Sequence, residues 1–327
     1  MKLRKRDLRA GLAAVLCAAV FCLGAAGAFR PLANLLQNAD VVSFLIYLET
    51  GRKVRFSPSL EKDANHVGES PPAMPLVNWT VPVFSPSDAQ AVKIYNTSGK
   101  SADLERLLTQ PLDWDLTGSS PTVLIIHTHA TESYTKQHED YRESSAFRTL
   151  DEKYNMISIG DQVARILSEN GIPVLHDRYL HDYPSYDGSY ASSRSAVNEY
   201  LARYPSIRLV LDLHRDASGD LNNQFRPVVQ VDGQSVAQLM LVMGCGHEAW
   251  QDNLSLGLKI QVLLERSVPG ITRPLCMRSQ QFNQDLTPGA LLIEMGAAGN
   301  THDEALRAAQ QLAYAIVALS KGSETDT

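Results

Sequence analysis

The apolar positions fall into three patterns along the chain. Residues 10–29 form one unbroken apolar run with no charged residue inside it. At 1.5 Å rise per residue, about 20 such residues cross a hydrocarbon core of roughly 30 Å, so the run predicts a transmembrane helix. Residues 32–50 carry a looser helical spacing, with Leu35, Leu36, Val41, Val42, Leu45, Ile46 and Leu48 on one face. From residue 52 to about 120 the periodicity is lost among Pro58, Pro71, Pro72, Pro75, Pro82, Pro86, Pro111 and scattered Ser and Asn. That text predicts a spacer with short extended pieces, such as 92–95.

From Thr122 onward, short apolar runs alternate with helical spacings. Residues 123–126, 207–213 and 290–293 are continuous apolar runs, as expected of strands buried on both faces, and 172–175 is a further strand. Ile159, Val163, Ile166 and Leu167 predict a helix over 156–167 that stops at Asn170-Gly171. Helices are also predicted over 192–204, 254–268 and 303–319. The runs 225–231 and 236–243 flank Asp232-Gly233, a hairpin signal. The alternation predicts an α/β domain over 121–327, a mostly parallel sheet flanked by helices.

The flanks of the apolar run set the compartment. Lys2, Arg4, Lys5, Arg6 and Arg9 make residues 1–9 a basic head, which stays cytoplasmic and leaves residues 30–120 and the α/β domain outside a single-pass cell-membrane protein. Small residues at Ala25-Ala26-Gly27-Ala28 keep a cleaved signal peptide open as the alternative; the length of the run favours an anchor. A formal net charge of −6 over 327 residues argues against nucleic-acid binding through bulk charge. Four cysteines without a CxxC exclude a disulfide scaffold and a thiolate zinc ribbon. Cys17 and Cys22 lie in the apolar run; Cys245 and Cys276 lie in the exported part, where pairing stays open.

The candidate chemistry gathers at strand ends, where open α/β sheets place their sites. One strand runs into His127-Thr128-His129-Ala130-Thr131-Glu132, another into His214-Arg215-Asp216, and a third closes on Glu294. A catalytic zinc takes three N or O ligands and leaves a position open. His129-x-x-Glu132 supplies two at the tip of one strand, and His214 a third from another. Glu294, in an apolar context that raises a carboxyl pKa, is left for proton transfer. Arg215 is a candidate for stabilising an oxyanion, and His127 and Asp216 for substrate or supporting contacts. Strand alternation puts His127 and His129 on the same face, so only the HxxE spacing prefers His129 as ligand. The G-x-G-x-x-A at Gly244 follows a hairpin instead of opening a βαβ unit, and no G-x-S-x-G occurs. Tyr183, Tyr186 and Tyr190 line a cleft or simply pack.

The segments VLIIHTHATESYT (123–135), SYDGSYASSRSAVNEYL (185–201), RLVLDLHRDA (208–217) and FNQDLTPGALLIEMGAAGNTHDEA (282–305) resemble the stage II sporulation protein P family, as does the single anchor. The resemblance covers about 120–325 in order. It implies a zinc amidase/carboxypeptidase-like core and a zinc-dependent N-acetylmuramoyl-L-alanine amidase acting on peptidoglycan in sporulation engulfment, with stem-peptide cross-links as a second target. It also implies a transglycosylase and a membrane scaffold as partners. Carried onto this chain, the Zn2+ ligands are His129, Glu132 and His214, and the catalytic carboxylate is Glu294. Asp285 departs from the His expected there in many relatives, which affects substrate contacts and not the metal. The rival readings are a carboxypeptidase-like zinc peptidase and a catalytically silent wall-binding module.

Overall fold

The computed structural model describes residues 81–135, 147–217, 219–220 and 223–325. The predicted anchor at 10–29 and the helix at 32–50 lie outside the described residues. Among the described residues no helix is long and apolar enough to cross a membrane. The chain divides into two units, 1–75 and 76–327, and only the second is described.

A seven-stranded sheet forms the centre. In chain order its strands are β2 (Ile94–Asn96), β3 (Val123–Ile126), β4 (Val174–His176), β5 (Leu209–Asp216), β10 (Leu239–Gly244), β11 (Leu275–Arg278) and β12 (Ala290–Ala297). Their spatial order is β2-β11-β10-β12-β5-β3-β4. Neighbours run parallel except β10 and β12, which are antiparallel, so two parallel blocks meet at that seam. The expected mostly parallel sheet is present, with β10, β11 and β2 running opposite to the other four strands; β8 (Val228–Val231) and β9 (Gln234–Ala237) form a separate hairpin before β10. The small pairs β6 (Gly219–Asp220) with β7 (Asn223–Gln224), and β1 (Val83–Phe84) with β13 (Glu324–Thr325), complete the strands.

Alternation along the strands divides the core into two faces. Val123, Ile125, Leu209, Leu211, Leu213, Leu291 and Ile293 pack under three helices, α2 (Met156–Glu169), α4 (Trp250–Ser267) and α5 (His302–Ala318). The opposite residues Leu124, Ile126, Val210 and Ala290 meet α3 (Ser189–Arg203) through Val197. Local chemistry sets the helix ends. Asn155 caps α2, which stops at Asn170 with Gly171 in the left-handed region, and Thr301 and Glu304 form a capping box on α5.

The spacer expected to reach residue 120 is corrected. Phe84, Leu107, Leu108 and Leu116 are fully buried, α1 (Leu104–Thr109) packs on α4, and β2 is an edge strand of the central sheet. Prolines and short elements disguised this segment: its few apolar residues are too widely spaced to show a period. Cys245 and Cys276 are both buried free thiols, not a disulfide.

Candidate active site

The face covered by α3 carries the polar strand ends. Asp212 and His214 alternate onto it from β5, and Glu294 stands in register beside His214 on β12. Just beyond Glu294 a bulge inserts one extra residue: Glu294 pairs with His214 and Ala297 with Asp216. Gly296 takes the turn at φ +86°, where a Cβ would stand 2.8 Å from the Ala237 Cβ and 2.7 Å from Asn300 Oδ1. Bulges of this kind end regular pairing and re-aim side chains at strand ends.

The two candidate histidines of the first motif are separated. β3 stops at Ile126, so alternation carries only as far as His127. His127 is fully buried on the α2 side, its Nδ1 donating to the Leu213 carbonyl and its Nε2 2.8 Å from His176 Nε2. Since a carbonyl only accepts, the Nδ1 holds the proton and the Nε2 accepts from His176. Burial and the neighbouring His176 push the His127 pKa down to about 3. Gly160 of α2 lies against both rings, and a Cβ there would come within 2.6 Å of His127 Nε2. His127 is therefore a structural partner and not a cleft residue. The expectation that geometry leaves His127 and His129 equivalent is corrected: the turn after β3 swings His129 the other way.

His129 stands with its ring edge to His214, centroids 5.2 Å apart, and its Nδ1 is buried without a hydrogen-bond partner. Burial and the nearby His214 and Arg148 lower its pKa, against Glu132. Glu132 Oε2 accepts from the Arg215 amide at 3.1 Å and lies 3.6 Å from His214 Nδ1, too far for a hydrogen bond. Burial acts to raise the Glu132 pKa, but Arg215, His214 and His129 bring it down to about 2. On the other edge of the ring, His214 Nε2 is 2.9 Å from Asp212 Oδ1, a close charge contact without hydrogen-bond alignment. Asp212 is itself held by the Thr128 amide and hydroxyl. The two carboxylates outweigh burial and raise the His214 pKa well above the usual imidazole range.

Glu294 has the opposite environment. It is half-buried, its Oε2 has no hydrogen-bond partner, and burial with repulsion from Glu132 and Asp216 pushes its pKa up to about 8. Two carboxyls driven in opposite directions, near 2 and near 8, are the signature of a charge-holding group beside a proton-transfer group.

Arg215 alternates away from His214. Its guanidinium donates to the Ser133 and Phe147 carbonyls and its amide to Glu132, so it fastens the turn that carries Glu132. The oxyanion role expected for it is corrected to a positioning role. Asp216 pairs with Arg273 at 2.8 Å. Asp285 is paired with Arg194 of α3.

Three residues join the site that the strand-end reading had not placed there. Tyr186 stacks on His129 at 4.5 Å, Tyr190 meets the same ring edge-on at 5.6 Å, and the Arg148 guanidinium lies 4.8 Å over the Tyr186 ring. Arg148 also reaches Thr131 and Asp182. Tyr186 precedes α3 and Tyr190 is its second residue, so the clustering of tyrosines at 183, 186 and 190 is the available signal in the sequence; Arg148 has none.

Among the described residues no three His, Cys, Asp or Glu side chains converge closely enough to hold a metal ion as they stand. The donor set nevertheless suits zinc. It offers an unpartnered buried imidazole nitrogen on His129, a second imidazole nitrogen facing a carboxylate at 3.6 Å, and Asp212 orienting that ring from behind.

The family model for stage II sporulation protein P (SpoIIP) matches residues 77–317. The chain belongs to that family. The SpoIIP match starts near the first described residue, in keeping with a folded unit that includes β1, β2 and α1. Stage II sporulation protein P of Bacillus subtilis (strain 168) is 27% identical over 208 residues, 60% of this chain and 50% of that protein. The chain thus spans about half the length of that curated relative. Among solved structures, the N-acetylmuramoyl-L-alanine amidase AmiC2 of Nostoc punctiforme matches at 15% identity and TM-score 0.36, covering 62% of this chain and 97% of that one. The CwlD amidase from Clostridioides difficile, solved in complex with the GerS lipoprotein, matches at 13% and 0.36, over 61% of this chain and 97% of its own.

Proposed function

We propose that this SpoIIP-family chain is a zinc-dependent peptidoglycan hydrolase that cuts the amide between N-acetylmuramic acid and L-alanine during sporulation. The observation that carries the reading is Glu294, whose buried Oε2 has no hydrogen-bond partner, standing in register with His214 on the adjacent strand. His129, Glu132 and His214 are the residues that would hold the ion. Bound there, zinc supplies a Lewis acid that polarises the amide carbonyl and acidifies water.

The chain's own groups do the rest. Glu294 accepts the proton of the attacking water and returns it to the departing L-alanine nitrogen. A carboxyl tuned toward neutrality serves both steps, because it is a strong enough base for the first and a strong enough acid for the second. Asp212 holds the His214 ring, and Arg215 holds the Glu132 turn. The low-pKa Glu132 keeps its negative charge throughout the working range.

Residues 10–29 would anchor the protein in the cell membrane, with the hydrolase unit outside and facing the wall. A transglycosylase and a membrane scaffold are the partners that family membership suggests. The test is digestion of muropeptides by the purified protein, with and without a chelator, products identified by mass. Chelator-sensitive release of stem peptides with a free L-alanine amine supports the amidase reading. Cleavage confined to the stem or cross-link replaces it with the peptidase reading. No cleavage, in a sample that also binds no zinc, replaces it with a wall-binding module.

A further inference from the structure

We propose that the Tyr190 hydroxyl is a catalytic residue of this site, donating a hydrogen bond to the amide oxygen of the substrate as it gains negative charge. The inference rests on the proposed hydrolase activity and deepens it. An amide oxygen that becomes tetrahedral needs a donor aimed at where the charge develops. Arg215, the cationic candidate from the sequence, is committed to the Ser133 and Phe147 carbonyls. Arg148 is engaged with Asp182 and Thr131. Tyr186 lies flat on the His129 ring and is exposed, and the other side chains at the centre are carboxylates and imidazoles.

Tyr190 has the placement such a donor requires. It is the second residue of α3, so its Cα is set by a rigid helix start behind Gly188. Its backbone carbonyl is further held by Asn283 Nδ2 at 2.9 Å, from a turn in which Phe282 and Asn283 both take positive φ. Its ring edge packs on His129 at 5.6 Å and leans on Phe282 at 6.0 Å, which fixes the ring plane. The residue is half-buried, and among the described residues its hydroxyl makes no hydrogen bond. The ring meets His129 edge-on, His129 in turn meets His214, and His214 stands in register with Glu294, which sets the phenol beside the centre that holds the proton-transfer carboxyl. A neutral phenol supplies a proton for hydrogen bonding without adding a second cation that would compete for Glu132. Hydrolysis stays balanced: water adds to the carbonyl, Glu294 carries its proton to the nitrogen, and Tyr190 keeps its own.

The experiment compares wild type with Tyr190→Phe, which retains the ring and its packing on His129. Steady-state muropeptide hydrolysis, zinc content and inhibition by a phosphinate analogue of the muramoyl-alanine amide are measured on both. The expected result is a kcat lowered about 10²-fold, the size found for one oxyanion donor, with KM within about twofold and zinc content unchanged. Inhibition by the phosphinate should weaken by a similar factor, since the analogue carries the tetrahedral oxygens. An unchanged kcat overturns the inference while leaving the hydrolase reading intact. So does a raised KM at full kcat, which marks a packing contact, or a loss of zinc, which marks a structural one. If wild type releases no product under any metal, the hydrolase reading fails and the inference falls with it.

Discussion

Replacing Lys259 by methionine should stabilise this protein at neutral pH, although it deletes two hydrogen bonds. Lys259 is 1% exposed, in the middle of α4, and its Nζ donates to the Leu107 carbonyl and to Ser255 Oγ, each at 2.9 Å. Burial lowers its pKa from 10.5 to about 8. At about 1.36 kcal/mol per pH unit, holding the charge inside costs on the order of 3 kcal/mol. The sign follows from proton counts. Between pH 8 and 10.5 the unfolded chain binds more protons than the folded one, so stability rises with pH through that window and the cost is fully present below it. Methionine is close in length and removes the cost. The Leu107 carbonyl keeps a partner, because Ser255 Oγ donates to it at 2.7 Å. Setting the two lost bonds, about 1 kcal/mol each, against the relieved charge leaves a gain of about 1 kcal/mol at pH 7. Urea denaturation of both proteins at pH 7 and pH 10 measures it, with the gap closing at the higher pH. A variant less stable at pH 7, or a gap independent of pH, would mean that the ammonium is well solvated or compensated and that its charge docks α1 on α4.

The remaining expectations concern the site. Glu294→Gln should retain zinc and lose activity by about 10²–10⁴-fold, the span of a proton-transfer group; wild-type rates would remove Glu294 from the mechanism. In the metal-free protein the raised Glu294 carboxyl binds protons that the unfolded chain releases between about pH 4.5 and 8, so stability from this group falls as pH rises. Glu294→Gln should accordingly gain on wild type in denaturation above pH 8 and show little difference at pH 4. His214→Ala should lose zinc, measured by metal analysis, and with it chelator-sensitive hydrolysis. Gly160→Ala should destabilise by about 1–3 kcal/mol through overpacking against His127 and His176, and the double variant with His176→Ala should recover part of it; a single variant as stable as wild type would mean that α2 shifts freely.

Reading the strands and helices from the sequence succeeded where burial imposes a period. The four-residue run at Val123 is apolar on both sides because helices cover both faces of β3, and Asn170-Gly171 ends α2 by its own backbone preference. It failed over 81–116, where short elements reach the core with one or two residues each, such as Phe84 and Leu107. No local period records a contact made with residues 150 positions away. The reversal of the β10, β11 and β2 block is likewise absent from the sequence, since strand direction is decided by which neighbours pair and not by the run itself.

For the site, the chemistry available is legible in the chain: three histidines and a glutamate at strand tips, and a lone glutamate in an apolar strand. Hydrophobic strands confine such polar residues to their ends, so the motifs are legible in one dimension. Packing sets which way each one faces. It turned His127 inward to Leu213 and His176 and brought His129 to His214; it committed Arg215 to backbone carbonyls, laid Tyr186 flat on His129 and set Tyr190 edge-on to the same ring. The reason is that orientation depends on where β3 stops and on what α2 and α3 press against it. The pKa values divide on the same ground. Glu132 and Glu294 are the same residue type, and it is the charges and burial around each that set one near 2 and the other near 8.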